Sequence, residues 1–153
     1  RTLGDGIGES LRNAGLSRKE TREKVEALLK NCGLPPEYAG RYPRQVSGGQ
    51  CQRAAIARAL AIAPRLLICD EITSALDVTV QKEILELLNA LRTRQGRGLS
   101  ILFISHDISL VQQFCDRVLV MYRGEIVEEG TPDEVIRNPK NDYTKRLIDS
   151  VLS

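Results

Sequence analysis

Three short clusters in this 153-residue chain combine residue types that do chemistry. Ser47-Gly48-Gly49-Gln50 offers a hydroxyl, two glycines that let backbone approach a ligand, and amide groups at the start of a helix-favouring run. Together these suit an anion such as phosphate. The same four residues equally make an ordinary helix cap and turn. Asp70-Glu71 closes the apolar run Leu66-Leu67-Ile68-Cys69. At a strand end, the first acid can hold the water shell of a Mg²⁺ ion while the second polarises an attacking water, the two tasks of phosphoryl transfer. Such a pair can also cap the next segment. His106, the single histidine, follows Ile101-Leu102-Phe103-Ile104 and serves either as a hydrogen-bonded structural residue or in catalysis. At the end of the next strand of a parallel sheet it would stand beside Asp70-Glu71, so three separate signals converge on one crevice.

The elements that must position these residues follow from pattern. Ser17-Arg18-Lys19-Glu20 is a capping box, and Val25, Leu28 and Leu29 share one face before Gly33, Pro35 and Pro36 stop the run; this predicts a helix over 18–31. A looser helix is expected over 6–14, and a short turn over 38–44. From Ser47 the alanine-rich run to Pro64 predicts a helix whose N-terminus lies in the glycine motif. Residues 66–69 and 100–104 read as buried strands of a parallel sheet. Between them lies a helix over 78–94, with Asp77 as cap and Gly96 and Gly98 as closers. A helix to about Cys115, a hairpin turning at Arg123-Gly124, a helix opened by Thr131-Pro132-Asp133-Glu134, and a last helix over 142–152 complete an α/β chain.

Lysine and arginine number 22 against 20 acids, a net charge of +2 that points to neither nucleic acid nor an anionic membrane as main partner. The balance is uneven along the chain: residues 1–64 sum to +5, 65–130 to −3 and 131–153 to zero. The shift near Pro64 coincides with the first strand signal and sets a boundary there. Apolar runs end far short of a membrane span and no signal-peptide pattern is present, so the expected location is cytoplasmic. Cysteines 32, 51, 69 and 115 show no metal-ligand spacing and are expected as reduced thiols, Cys51 and Cys69 as small buried hydrophobes.

Val46-Ser47-Gly48-Gly49-Gln50 with Gln52-Arg53 and Ala57-Arg58-Ala59-Leu60 resembles the signature motif of ATP-binding cassette (ABC) ATPases. Asp70-Glu71 resembles the end of their Walker B strand, Ser74-Ala75-Leu76-Asp77 the D-loop, and Ile104-Ser105-His106-Asp107 the switch-histidine loop, all in the family's order. Val46 stands where leucine is usual and Ile72 where proline is usual; neither alters a functional group. Asp77-Val78-Thr79-Val80-Gln81 and Asp142-Tyr143-Thr144-Lys145-Arg146-Leu147 are similar to the oligopeptide, dipeptide and nickel importer branch. The tail from Asn138 to Tyr143 matches that branch only in part.

The resemblance implies a partial P-loop NTPase domain of the ABC type. It would comprise a helical signature subdomain over 1–64, the second half of a RecA-like core over 65–130, and a C-terminal helical extension over 131–153. It implies an ATPase using ATP and Mg²⁺ that couples hydrolysis to uptake of peptides or nickel. Its partners would be a second ABC subunit, identical or not, in a head-to-tail dimer, and transmembrane permease subunits at the cytoplasmic face of the membrane. By the same resemblance Ser47, Gly48, Gly49 and Gln50 would contact the γ-phosphate of an ATP held mainly by the opposing subunit. Asp70 would serve the Mg²⁺ shell, Glu71 would polarise water, His106 would contact the γ-phosphate, and Asp77 would link the two sites. No Gly-x-x-x-x-Gly-Lys-Ser/Thr run and no Gly-Lys pair occurs, so the Walker A half is missing. The expectation is the C-terminal portion of a longer protein, inactive by itself. The alternative is a non-transport ABC ATPase of DNA repair or translation, against which stand the near-neutral charge and the lack of coiled coils or basic arms.

Overall fold

The computed structural model describes residues 1–94 and 98–153. They form two compact units, Arg1–Leu102 and Phe103–Ser153.

The first unit begins with α1, Leu3–Asn13, and α2, Arg18–Asn31. Each opens with a reciprocal cap. Ser17 Oγ accepts from Glu20 N at 3.2 Å while Ser17 N donates to Glu20 at 2.8 Å. Thr2 and Asp5 make the same exchange at 3.1 Å in both directions. That box starts α1 three residues before the expected position, despite the glycines at 4, 6 and 8. Gly8 serves packing: a Cβ there would lie 2.9 Å from Thr21 Cγ2 on α2. Two 3₁₀ turns, Pro36–Gly40 and Pro43–Gln45, fill the expected turn region. They lead into α3, Gly48–Leu60. The three helices pack on one another around Ile7, Leu11, Val25, Leu29, Cys32 and Ala57, all buried.

After α3 the chain turns through Ala63 at φ 51° and Pro64 into β1, Leu66–Asp70. β2, Ser100–Ile104, is its neighbour in the sheet, joined at its start by Ser100 N donating to Arg65 O at 2.9 Å. The expectation of strands buried on both faces needs correction. Leu67 and Cys69 are buried, whereas Leu66 and Ile68 are 53% and 59% exposed. The continuous apolar run signals two covered faces, and in this chain one face of the pair is open. Between the strands lies α4, Val78–Thr93, capped by Asp77. Gly98 has φ 53°; the other expected closer, Gly96, lies outside the described residues.

α4 approaches the N-terminus of α3 closely. A Cβ on Gly48 would stand 3.3 Å from Leu76 Cδ2, and one on Gly49 only 2.6 Å from Val80 Cγ1. The glycine pair is therefore a packing requirement as well as a backbone one.

In the second unit, Phe114 of α5, Ile108–Phe114, meets Phe103 edge-on with centroids 5.4 Å apart. β3, Val118–Tyr122, and β4, Glu125–Gly130, form an antiparallel hairpin. Its two-residue turn, Arg123 at φ 50° and Gly124 at φ 82°, has the positive φ values of a type I′ hairpin. The helix expected at Thr131 is a single π-type turn, Asp133–Arg137. Thr131 and Glu134 still exchange capping bonds at 3.2 and 3.3 Å. α6, Asp142–Leu152, starts at Asn141. Glu128 on β4 holds that start, its carboxylate accepting from Asn141 N at 2.8 Å and Lys140 N at 3.1 Å. Tyr122 and Tyr143 stack above it at 4.2 Å.

Two predictions follow from these contacts. In Gly49→Ala the overpacking cost of about 1–3 kcal/mol exceeds the roughly 1 kcal/mol that alanine gains over glycine in a helix, so thermal melting falls. Adding Val80→Ala to the same chain recovers part of that loss. For Glu128, partial desolvation raises the carboxyl pKa, but the Asn141 and Lys140 amides, the Thr144 hydroxyl and the Lys140 charge together leave it below the ordinary value of 4.5. A depressed folded pKa gives stability that is present above that ordinary value and lost as pH falls through the folded one. Melting followed from pH 7 to pH 3 should therefore show an acid-side loss that is smaller in Glu128→Gln, already less stable at pH 7, because Asp5 and Glu20, held low by their bonds to Thr2 and Ser17, still contribute it.

Candidate active site

Ser47 caps α3 as expected: Oγ accepts from Gln50 N at 3.2 Å, and Ser47 N donates to Gln50 Oε1 at 2.9 Å. The cap and the anion site are compatible readings. By helix geometry the N–H groups of the first two residues, Gly48 and Gly49, have no intrahelical acceptor. The Gln50 amide nitrogen gives one hydrogen to Tyr38 OH at 3.3 Å, and a primary amide has two. The Tyr38 ring is itself covered by the Arg41 guanidinium, 3.8 Å from its centroid. Ser47 and Gly48 are exposed, Gln50 half-buried and Gly49 buried. A rigid helix start thus presents two amides, a hydroxyl and one amide hydrogen.

Asp70 ends β1 with its carboxylate exposed, and Glu71 follows at φ 51°. A left-handed backbone at a non-glycine residue costs energy and persists only where the surroundings over-determine it. Here they do. Glu71 O accepts from Ser74 Oγ at 3.0 Å and Ser74 N at 3.3 Å. Leu76 N donates to Thr73 O at 3.1 Å, and Thr73 is 2% exposed. The loop closes at Asp77, whose Oδ1 accepts from Val80 N at 2.9 Å. Asp70 in the strand and Glu71 at its left-handed φ thus carry the two carboxylates on different backbone geometries at one strand end.

His106 belongs to the second unit, where it is exposed two residues beyond β2. Its neighbours fix the local backbone: Asp107 N donates to Ser105 Oγ at 3.0 Å, and Asp107 Oδ1 accepts from Leu110 N at 3.2 Å, capping α5.

Two further residues emerge from the coordinates. Arg53 donates to Cys32 O at the C-terminus of α2, 3.0 Å away, and its other terminal nitrogen lies 3.8 Å from Glu83 on α4. It therefore ties the signature helix to both neighbours. Gln81 reaches from α4 back into the Glu71–Asp77 loop. Each stands within or beside a motif quoted from the sequence, but its target is a backbone carbonyl, which leaves no pattern of its own.

Cys69 is buried as expected, whereas Cys51 is half-buried. Cys32 and Cys69 are buried, and burial pushes each thiol up to about 11, so both remain protonated near neutrality. Among the described residues no group of three His, Cys, Asp or Glu side chains could hold a metal ion. Mg²⁺ does not require one, since it keeps several waters and takes one or two carboxylates plus phosphate oxygens. The exposed oxygens of Asp70 fit that donor set. Among the described residues no helix is long and apolar enough to cross a membrane.

The family described as ABC transporter matches residues 5–74. The oligopeptide transport ATP-binding protein OppF of Escherichia coli (strain K12) is 49% identical over 152 residues, covering 98% of this chain and 45% of that protein. The glutathione import ATP-binding protein GsiA of Escherichia coli O6:H1 is 47% identical over 152 residues, covering 99% of this chain and 24% of that protein. This chain thus spans less than half the length of these relatives. Among solved structures, the ATP-binding cassette MJ0796, a dimer in a post-hydrolysis state bound to ADP and Pi, matches with TM-score 0.71 and 32% identity, covering 86% of this chain and 56% of that one. Residues 5–74 thus match the ABC transporter family, and near-half identity over almost the whole chain makes it similar to the ATP-binding proteins of oligopeptide and glutathione import.

Proposed function

We propose that this chain is the signature-bearing portion of the ATP-hydrolysing subunit of an importer for peptides. The observation that carries the reading is the acid pair: Asp70 ends a strand and Glu71 is held at φ 51° by its own loop. That is the kind of strained, over-determined backbone found where a side chain must be aimed.

In this mechanism the amides of Gly48 and Gly49, the Ser47 hydroxyl and the second Gln50 amide hydrogen receive the γ-phosphate of an ATP bound on an opposing subunit. The dipole at the start of α3 favours that charge. Asp70 would hold Mg²⁺ through its water shell, and the ion would offset phosphate charge when bound. Glu71 accepts hydrogen-bonding from the attacking water and so raises its nucleophilicity. His106 contacts the γ-phosphate, and Asp77 at the cap of α4 links the two sites of the dimer. A phosphate shared between subunits stabilises the closed pair only while it exists, so hydrolysis returns the pair to its open state. Residues 1–64 form the signature subdomain, 65–130 the core portion and 131–153 the C-terminal extension. The partners are a second ABC subunit and the permease subunits at the cytoplasmic face of the membrane. Within the importer branch the peptide cargo is preferred to nickel, because the names of the relatives specify oligopeptide and glutathione.

The test is phosphate release by the whole protein of which this chain is part. Glu71→Gln is expected to lower magnesium-dependent turnover by about 10²–10⁴-fold, the usual worth of a positioned base, with nucleotide binding retained. Turnover equal to that of the unaltered protein would remove Glu71 from this role.

A further inference from the structure

Gln81, on the first turn of α4, donates both hydrogens of its side-chain amide into the loop that carries the acid pair. Nε2 lies 2.9 Å from Thr73 O and 3.1 Å from Leu76 O, which uses its whole donor capacity. Its backbone N–H adds a bond to Asp77 O at 2.9 Å. The remaining bonds given above, from Ser74 to Glu71 and from Leu76 to Thr73, run between loop residues. Gln81 is therefore a brace from outside the loop, anchored on a regular helix and half-buried. It grips two carbonyls that flank Ser74 and Ala75, one of them belonging to the buried Thr73. The second gripped residue, Leu76, is also the one whose side chain lies against Gly48.

We propose that Gln81 is a positioning residue for hydrolysis: through Thr73 and Leu76 it sets the backbone frame on which Glu71 and Asp77 sit, and through Leu76 it joins that frame to the glycine motif. The proposal rests on the ATPase reading above. Its chemistry is specific. Both targets are acceptors, so the position demands a donor of two hydrogen bonds, and an acid of the same size would turn its oxygens toward two carbonyl oxygens.

The test compares Gln81→Glu with Gln81→Arg, which keeps donors, in the whole protein. The expected result for Gln81→Glu is a fall in kcat for ATP of roughly 10–100-fold, the scale of a small misplacement of a reacting group, with KM for ATP unchanged. Gln81→Arg should restore most of the lost kcat. In a Glu71→Gln background, Gln81→Glu should cost little more, because both act through one group. An unchanged kcat, a rise in KM in place of the fall, or an arginine variant as poor as the glutamate one would overturn the proposal. Hydrogen exchange of the Ser74 and Leu76 amides tests the frame independently of turnover. Faster exchange in Gln81→Glu supports the brace and equal exchange refutes it. A wild-type protein without ATP turnover would overturn the ATPase reading instead.

Discussion

Two absent side chains govern the first unit. Where α3 begins, Gly48 and Gly49 leave room for Leu76 and Val80, and a Cβ at Gly49 would come within 2.6 Å of Val80. Because interiors pack at crystal-like density, that approach determines how the start of α4, its cap Asp77 and the preceding loop lie against the glycine motif. The motif's chemistry and its packing thus come from the same atoms. A larger residue there would disturb the amides that open α3 and displace the carboxylate-bearing loop together.

Around that contact the fold repeatedly satisfies helix starts with side chains. Thr2, Ser17, Ser47, Asp77, Asp107 and Asn141 each accept a backbone N–H at the first turn of a helix. Such caps are worth about 1 kcal/mol each, and here they also place function. Ser47 and Asp77 are residues of the proposed site whose rotamers are held by capping, so little ordering remains to be done when a ligand arrives. The second unit uses the same device with a partner from another element: Glu128 on the hairpin receives the amides that precede α6, which secures the C-terminal helix to β4.

What the sequence disclosed depended on whether the signal was local. The Ser17–Glu20 box marked α2 to the residue, and the caps at Ser47 and Asp77 were legible for the same reason. The expected helix over 6–14 left out the Thr2–Asp5 box, which starts α1 at Leu3, and Gly8 lets α1 approach Thr21. The hairpin turn was readable from Arg123-Gly124, whereas the open face of β1 was not, since an apolar run says nothing of what is available to cover it. At the candidate site, residue types and order named Asp70, Glu71, Asp77 and His106 as candidates. The left-handed backbone of Glu71 and the bracing amide of Gln81 were hidden, because both are relations between side chain and backbone that arise only after folding.

In the proposed mechanism the amides opening α3 receive a γ-phosphate brought by another subunit. Hydrogen exchange at Gly48 and Gly49, followed in the whole protein assembled with its partner and slowed by Glu71→Gln, tests this directly. Both amides should be more strongly protected with ATP than with ADP. Equal exchange in the two nucleotide states would contradict that mechanism.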